Sequence, residues 1–176
     1  MPKSDQLTIL GIDPGFADTG FGIITKRSSR LSAVTYGSIK TSAKTPMPQR
    51  LSQIYQEICE LIKKYHPNII VIEQLFFYKN ITTAIAVGQA RGVIMLATGQ
   101  YQLTLKEVSP LHVKMALTGY GKASKSQIQQ MVKLILKLKT IPKPDDAADA
   151  LAVAICGSNI NFKKYEFRNP QRLYSR

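Results

Sequence analysis

LTILGID, residues 7–13, is the feature of this sequence from which its architecture follows. It is rich in apolar and β-branched residues, and two similar stretches come soon after it, GFGIIT at 20–25 and LSAVTYGSIK at 31–40. Turns containing Gly or Ser separate the three stretches, a pattern typical of strands. Because the connections are too short for a crossover, we predict an antiparallel meander.

Helical and strand patterns alternate after the meander. Residues 48–65 carry apolar side chains at helical spacing, whereas 69–72 are four consecutive β-branched residues, which predict a strand buried on both faces. We predict a second helix over about 81–98, a further strand over 102–108 and a last helix over about 145–156. The result is an α/β fold with a mixed five-stranded sheet, an antiparallel meander plus parallel strands, flanked by helices on both sides.

Two of the helices carry additional signals. Ala84, Gly88 and Gly92 recur at every fourth position, so another element, for example a helix of a second copy, can approach the backbone closely there. Ser124 and Gln127 form the S-x-x-Q pattern of a capping box ahead of a third apolar helical series. We therefore expect a packing or dimer interface on the helix over about 81–98, and we expect another helix to start at Ser124.

The chain length of 176 residues fits one domain. We place one folded domain at 1–157 and a basic, flexible tail at 158–176, because the tail has little apolar pattern. No apolar run approaches the ~20 residues that cross a bilayer, and the N-terminus lacks the pattern of a secretory signal, so we expect a cytoplasmic protein.

The formal net charge of +13 and pI of about 9.8 favour a polyanionic partner. Nucleic acid is preferred over an anionic membrane surface because no basic amphipathic helix with a large apolar face is present. Simple solubility is the alternative explanation of the charge. Cys59 and Cys156 lie in apolar helical stretches and are expected to be buried thiols, and His66 and His112 lack the spacing of a zinc site.

Two acidic residues end predicted strands. Asp13 immediately precedes the tight Pro14-Gly15 turn, and Glu73 directly follows the apolar strand at 69–72. A carboxylate at such a position is costly to bury unless a cation accompanies it. We therefore expect both side chains to face a cleft or a metal.

Asp146 and Asp149 stand three residues apart at the start of the last helix and point from roughly one face. An alternative explanation is that they cap the helix and interact with its dipole without any chemistry. The rest of that helix is apolar on all sides and therefore buried, which carries Asp149 inward. Asp145 directly precedes Asp146, so a shift of the helix start by one residue would exchange their roles.

Convergence of these four carboxylates would create a negative pocket on a positive protein. Oxygen ligands alone suit Mg²⁺ or Mn²⁺ rather than zinc. Two such ions would activate a water for in-line attack on a phosphodiester and stabilise the leaving oxygen. The chemistry expected from the residues is therefore metal-dependent nuclease chemistry.

Five segments follow one another in the sequence, namely GIDPG with TGFG at 11–22, VIEQLFFYKN at 71–80, GQARG at 88–92, GYGKASKSQ at 119–127 and DAADALAVA at 146–154. In the order and spacing of these segments the sequence resembles the bacterial RuvC family of Holliday junction resolvases over nearly its whole length. The resemblance implies an RNase H-like fold and a Mg²⁺-dependent homodimer that makes paired symmetric nicks in opposed strands of a four-way junction. It also implies a role in recombination and DNA repair beside the RuvA and RuvB branch-migration complex.

The resemblance also assigns residues. Asp13, Glu73, Asp146 and Asp149 match the family's metal-binding catalytic carboxylates. The DNA-contacting residues match as well: an aromatic residue that stacks on a base at the junction, and two basic residues beside the scissile phosphates. In this sequence these are Phe76, Lys114 and Lys125. Core packing for the aromatic residue and solvated surface positions for the lysines are the alternatives.

Other functions fit parts of the pattern. An actin-like or sugar-kinase-like ATPase also has an Asp and a Gly-rich turn after its first strand, but it needs two large lobes. A P-loop is not available either, because Gly121-Lys122 is followed by Ala123 and the earlier Gly is replaced by Ala116. A junction-binding protein without catalysis, a ribonuclease H and an integrase-like core are further candidates.

Overall fold

The computed structural model describes residues 6–74 and 81–159, the side chains of 81–83 excepted. This part of the chain forms five strands and five helices. In chain order they are β1 (Gln6–Asp13), β2 (Asp18–Arg27), β3 (Arg30–Lys40), α1 (Met47–Tyr65), β4 (Ile69–Glu73), α2 (Ile81–Gln100), β5 (Thr104–Val108), α3 (Pro110–Thr118), α4 (Lys125–Ile135) and α5 (Asp145–Ser158).

The five strands form one mixed sheet in the order β3-β2-β1-β4-β5. β1 pairs antiparallel with β2, and β2 pairs antiparallel with β3, which confirms the predicted meander. β4 pairs parallel with β1 on one side and with β5 on the other. As a consequence, β1, β4 and β5 all end at the same edge of the sheet.

Successive side chains of the strands point to opposite faces of the sheet, and an apolar layer packs on each face. On one face Ile9 and Val71 belong to a buried cluster with residues of α3, α4 and α5. On the other face Leu10 and Ile70 belong to a cluster with residues of α1 and α2. The four residues of β4 before Glu73 are at most 2% exposed, so the prediction of a strand buried on both faces is confirmed.

α5 lies unusually close to the sheet because glycines of β1 and β2 leave room for it. A Cβ atom on Gly11 would lie 2.3 Å from the carbonyl oxygen of Ala150, and one on Gly20 would lie 2.0 Å from that of Asp146. Neither distance is possible for real atoms, so the observed position of α5 requires glycine at both sites. The helix itself is buried from Ala150 to Ser158, as its apolar sequence predicts.

Some boundaries differ from expectation for local reasons. The strand predicted from residue 102 begins at Thr104, because Gln102 adopts φ 52° in a tight turn after α2. α3 was not predicted; Ser109 caps it, and Pro110 occupies its first turn. The capping box of Ser124 and Gln127 is present as predicted.

Two further observations concern the described residues as a whole. Cys59 and Cys156 are buried free thiols, as expected. In the part of the chain that the structure describes, none of the helices combines the length and apolarity that a membrane crossing requires.

Candidate active site

Carboxylates from three elements meet at the sheet edge where β1 and β4 end. Asp13 is the last residue of β1, Glu73 is the last residue of the adjacent parallel strand β4, and α5 begins across the same edge. One carboxylate oxygen from each of Asp13, Asp146 and Asp149 lies within 4.8 Å of the others. The fold thus brings together side chains that are more than 130 residues apart in the sequence.

Glu73 completes this group from the β4 side. Its carboxyl group lies next to that of Asp13 and close enough to Asp149 for the two charges to interact. Neighbouring negative charges oppose one another's ionisation.

The acidities reflect the crowding of negative charge. Burial raises the pKa of Asp13 to about 7, with further contributions from the charges of Glu73, Asp149 and Asp146. Burial also raises the pKa of Glu73, and the charge of Asp149 adds to this effect. A bound cation would reverse both shifts, since it favours the charged form of each carboxyl group.

Asp145 and Asp146 have different surroundings. The side chain of Asp145 is about half exposed, and Lys143 Nζ donates a hydrogen bond of 2.9 Å to it, which lowers its pKa. Asp146 belongs to the carboxylate group, and burial and the nearby charge of Asp18 raise its pKa. Neither aspartate caps α5, because the N-cap is Pro144 and no side-chain cap bond is formed.

Basic residues line the same site. Lys125 Nζ lies 2.9 Å from Asp149 Oδ2 and 3.8 Å from Asp145 Oδ2. A cavity of about 240 Å³ opens beside these groups, and its lining includes Glu73, Asp149, Lys125 and Lys114. Both predicted lysines therefore lie next to the carboxylates, where a phosphate could be held between the two kinds of charge. The third predicted DNA contact, Phe76, lies outside the described residues and stays a prediction.

The sequence pattern did not single out three residues of this region. Asp18 lies beside Asp146, Gly20 lies beneath the start of α5, and Arg91 donates a hydrogen bond of 2.6 Å from Nη1 to the main-chain oxygen of Glu73. Gly20 and Arg91 belong to the quoted TGFG and GQARG segments, but a motif alone does not reveal which contact each residue makes.

The donor set fits a hard divalent cation. It consists of carboxylate oxygens, which suit Mg²⁺ or Mn²⁺. The raised pKa values of Asp13 and Glu73 indicate that Lys125 offsets only part of the negative charge. A mixed sheet in this strand order, with acids at the ends of two central strands and on a helix across their edge, defines an RNase H-like nuclease.

Comparison with known proteins identifies the family. The family model described as crossover junction endodeoxyribonuclease RuvC matches residues 9–157. The crossover junction endodeoxyribonuclease RuvC of Desulfitobacterium hafniense is 55% identical over 150 residues, which cover 85% of this chain and 91% of that protein. The chain belongs to the RuvC family, and the predicted enzyme class, endodeoxyribonuclease, is confirmed.

Solved structures agree with this assignment. The RuvC structure of Thermus thermophilus matches with a TM-score of 0.80 and 32% identity, covering 86% of this chain and 93% of that one. RuvC of T. thermophilus in complex with a Holliday junction substrate matches with a TM-score of 0.79 and 30% identity, over 86% and 92% of the two chains. The predicted RNase H-like fold is thereby confirmed.

Proposed function

We propose that this chain resolves four-way DNA junctions by hydrolysing one phosphodiester in each of two opposed strands, with Asp13, Glu73, Asp146 and Asp149 as the catalytic metal ligands. The observation that carries the proposal is the grouping of Asp13, Asp146 and Asp149, with Glu73 beside them, next to a cavity lined by two lysines in a chain of the RuvC family. The complex of a relative with a Holliday junction supports the choice of substrate.

The four carboxylates would hold Mg²⁺, two ions by resemblance, and Mn²⁺ is expected to substitute. When bound, the metal polarises the phosphodiester and lowers the pKa of the attacking water. Asp13 and Glu73 contribute rigidly placed oxygens, because each is the last residue of a central strand. Asp146 and Asp149 contribute from α5, whose position the sheet glycines fix.

Lys125 and Lys114 would bind the scissile phosphate from the cavity side. Lys125 is held by its ion pairs with Asp149 and Asp145, so its ammonium group is already positioned when DNA arrives. Positive charge at that place stabilises the negative charge that develops on the phosphate oxygens during the attack. Phe76 is proposed to stack on a base at the junction, on the basis of the resemblance alone.

A second copy of the chain is the proposed partner that gives the second cut. One face of α2 carries exposed apolar residues and glycines and has no charged group. Its members are Ile85, Gly88, Gln89, Gly92, Met95, Leu96 and Gly99. We call this surface the α2 face. Apart from the adjoining backbone of α2 itself, no atom of the described residues lies within 4 Å of a Cβ built on any of its three glycines, so another helix could approach this face. The RuvA and RuvB complex remains an expectation from the resemblance, and a cytoplasmic location remains an expectation from the sequence.

The proposal is tested by incubating the protein with a labelled synthetic four-way junction and with linear duplex, in Mg²⁺ or in EDTA, and mapping the cuts on all strands. We expect paired symmetric nicks in the junction, in Mg²⁺ only. Equal cutting of linear duplex would instead indicate another RNase H-like nuclease, and binding without cutting under several divalent ions would indicate a non-catalytic junction-binding protein.

Asp146→Asn and Asp145→Asn form a matched pair for the metal assignment. The two residues are neighbours, yet only Asp146 belongs to the carboxylate group. We expect Asp146→Asn to lower the cleavage rate by at least about 100-fold and Asp145→Asn by less than about 10-fold, with junction binding in EDTA retained by both. The opposite order of effects would show that Asp145 is the ligand.

A further inference from the structure

Arg91 joins three elements at the point where β4 ends. From α2, its Nη1 donates a hydrogen bond of 2.6 Å to the main-chain oxygen of Glu73, and its Nη2 lies 2.7 Å from Glu107 Oε1 on β5. The side chain of Arg91 is only 13% exposed. Both terminal nitrogens of the guanidinium group are therefore bound within the protein. One of their partners is the main chain of Glu73, whose side-chain carboxylate belongs to the candidate metal site.

These contacts act on the main chain of Glu73 and not on its carboxylate. Glu73 and Val108 form the last pair of the β4–β5 ladder, and Gln74 N donates the next hydrogen bond to Val108 O. A charge-assisted hydrogen bond to the carbonyl of Glu73 fixes the peptide plane from which its side chain projects.

Glu107 makes this arrangement compatible with metal binding. An uncompensated guanidinium close to the site would repel a divalent cation. The ion pair with Glu107 neutralises the charge and also aims the rigid fork, so that one nitrogen reaches the carboxylate and another reaches the carbonyl. Lysine has one nitrogen on a flexible stem and cannot hold both groups in a fixed geometry.

We propose that Arg91, neutralised by Glu107, is a positioning residue that sets the Glu73 carboxylate in the geometry needed to bind the metal. The inference rests on the proposed role of Glu73 as a ligand. Groups that orient a ligand in this way typically change metal affinity by 10–100-fold when they are removed.

The test is the affinity of the full chain for Mn²⁺ without DNA, measured by electron paramagnetic resonance for wild type, Arg91→Lys, Arg91→Met and Glu73→Gln. We expect Arg91→Met to raise the Mn²⁺ Kd by about 10-fold and Arg91→Lys by less, because lysine restores one of the two contacts. Lys26→Met is the matched control. Lys26 Nζ also donates to a main-chain oxygen, that of Ser158 at 2.6 Å, but it lies at the opposite end of the sheet. This variant should lose stability with an unchanged Mn²⁺ Kd.

The outcomes separate the inference from the function on which it rests. If Glu73→Gln binds Mn²⁺ like wild type, the ligand assignment itself is wrong. If Glu73→Gln weakens binding but folded Arg91→Lys and Arg91→Met do not, only the positioning role is refuted. If the Arg91 variants keep their Mn²⁺ affinity but bind junction DNA in EDTA more weakly, with a smaller dependence on salt, Arg91 is a DNA contact and the inference is overturned.

Discussion

Asp13 is surrounded by three other carboxylates and is partly withdrawn from water, and both effects oppose its charge. Its folded-state pKa of about 7 lies above the ordinary value of 3.8, so the stability associated with its protonated form is present at low pH and is lost as the pH rises through 7. The metal-free protein at pH 8 therefore contains a site that destabilises the fold, as is common where binding has been favoured over stability.

Asp13→Asn should remove that destabilisation together with the activity. Without metal at pH 8, we expect the variant to melt about 3–10 °C above wild type, from a relief of about 1–3 kcal/mol after allowance for solvent screening. The gain should grow from pH 4 to pH 7 and then level off, as calorimetry in EDTA would show. Asp145→Asn is the control, because Lys143 lowers the pKa of Asp145 and its neutralisation brings no such gain. A variant that melts below wild type at pH 8 would contradict the account.

The same pKa predicts how metal binding depends on pH. A cation binds the deprotonated site, so below pH 7 it must displace the proton of Asp13. We expect the Mn²⁺ Kd to rise by roughly tenfold for each pH unit below 7 and to change little above pH 8. Binding at pH 6 should release about one proton. Titration calorimetry in buffers of different ionisation enthalpy measures that proton directly. A Kd that is constant between pH 5.5 and 8 would exclude the predicted competition.

At the scale of the elements, the sequence predicted helices and strands correctly where apolar residues recur at a regular spacing or where a capping motif marks the start of a helix. The meander, the doubly buried β4 and the buried α5 follow from apolar periodicity, and the capping box locates α4. α3 was missed because its nine residues show little apolar periodicity. The only sequence signal for this helix is the Ser109-Pro110 pair at its start. The close packing of α5 against the sheet was also not predictable. A glycine in a strand allows another element to approach, but the sequence does not indicate which element that is.

Gly20 tests that close packing. It pairs with Asp13 across β1 and β2 and lies beneath Asp146, so an added methyl group must push the start of α5 away from Asp13. We expect Gly20→Ala to weaken Mn²⁺ binding and to slow cleavage by at least about 100-fold, at a stability cost of about 1–3 kcal/mol.

Gly157→Ala is the corresponding control at the other end of α5. Its Cβ would lie 2.3 Å from Val71 Cγ2, so it should cost comparable stability while the carboxylates keep their geometry. Denaturant unfolding and junction cleavage measured on both variants separate the two effects. Equal losses of activity at equal losses of stability would mean that Gly20 has no specific part in the site.

At the scale of the whole molecule, charge is distributed unevenly. The chain has 24 basic and 11 acidic residues, yet four of those acids converge at one sheet edge. A broadly positive surface attracts DNA without regard to sequence, and the local negative site then accepts phosphate only with a cation present. The composition and the order of the motifs predicted this contrast. The short distances between the carboxylates could only be known from the folded structure.

The α2 face carries no charged group, and the proposal that a second copy of the chain covers it can be tested directly. Leu96 is 54% exposed on this face, where a glutamate would place a charge in the interface of a symmetric dimer. We expect wild type to sediment at twice the 19.6 kDa mass of the chain and Leu96→Glu to sediment as a monomer, with paired nicks replaced by single ones. Leu134→Glu, at a leucine on α4 that is 65% exposed, is the control and should stay dimeric. A dimeric Leu96→Glu with intact paired cutting would assign the second copy to another surface.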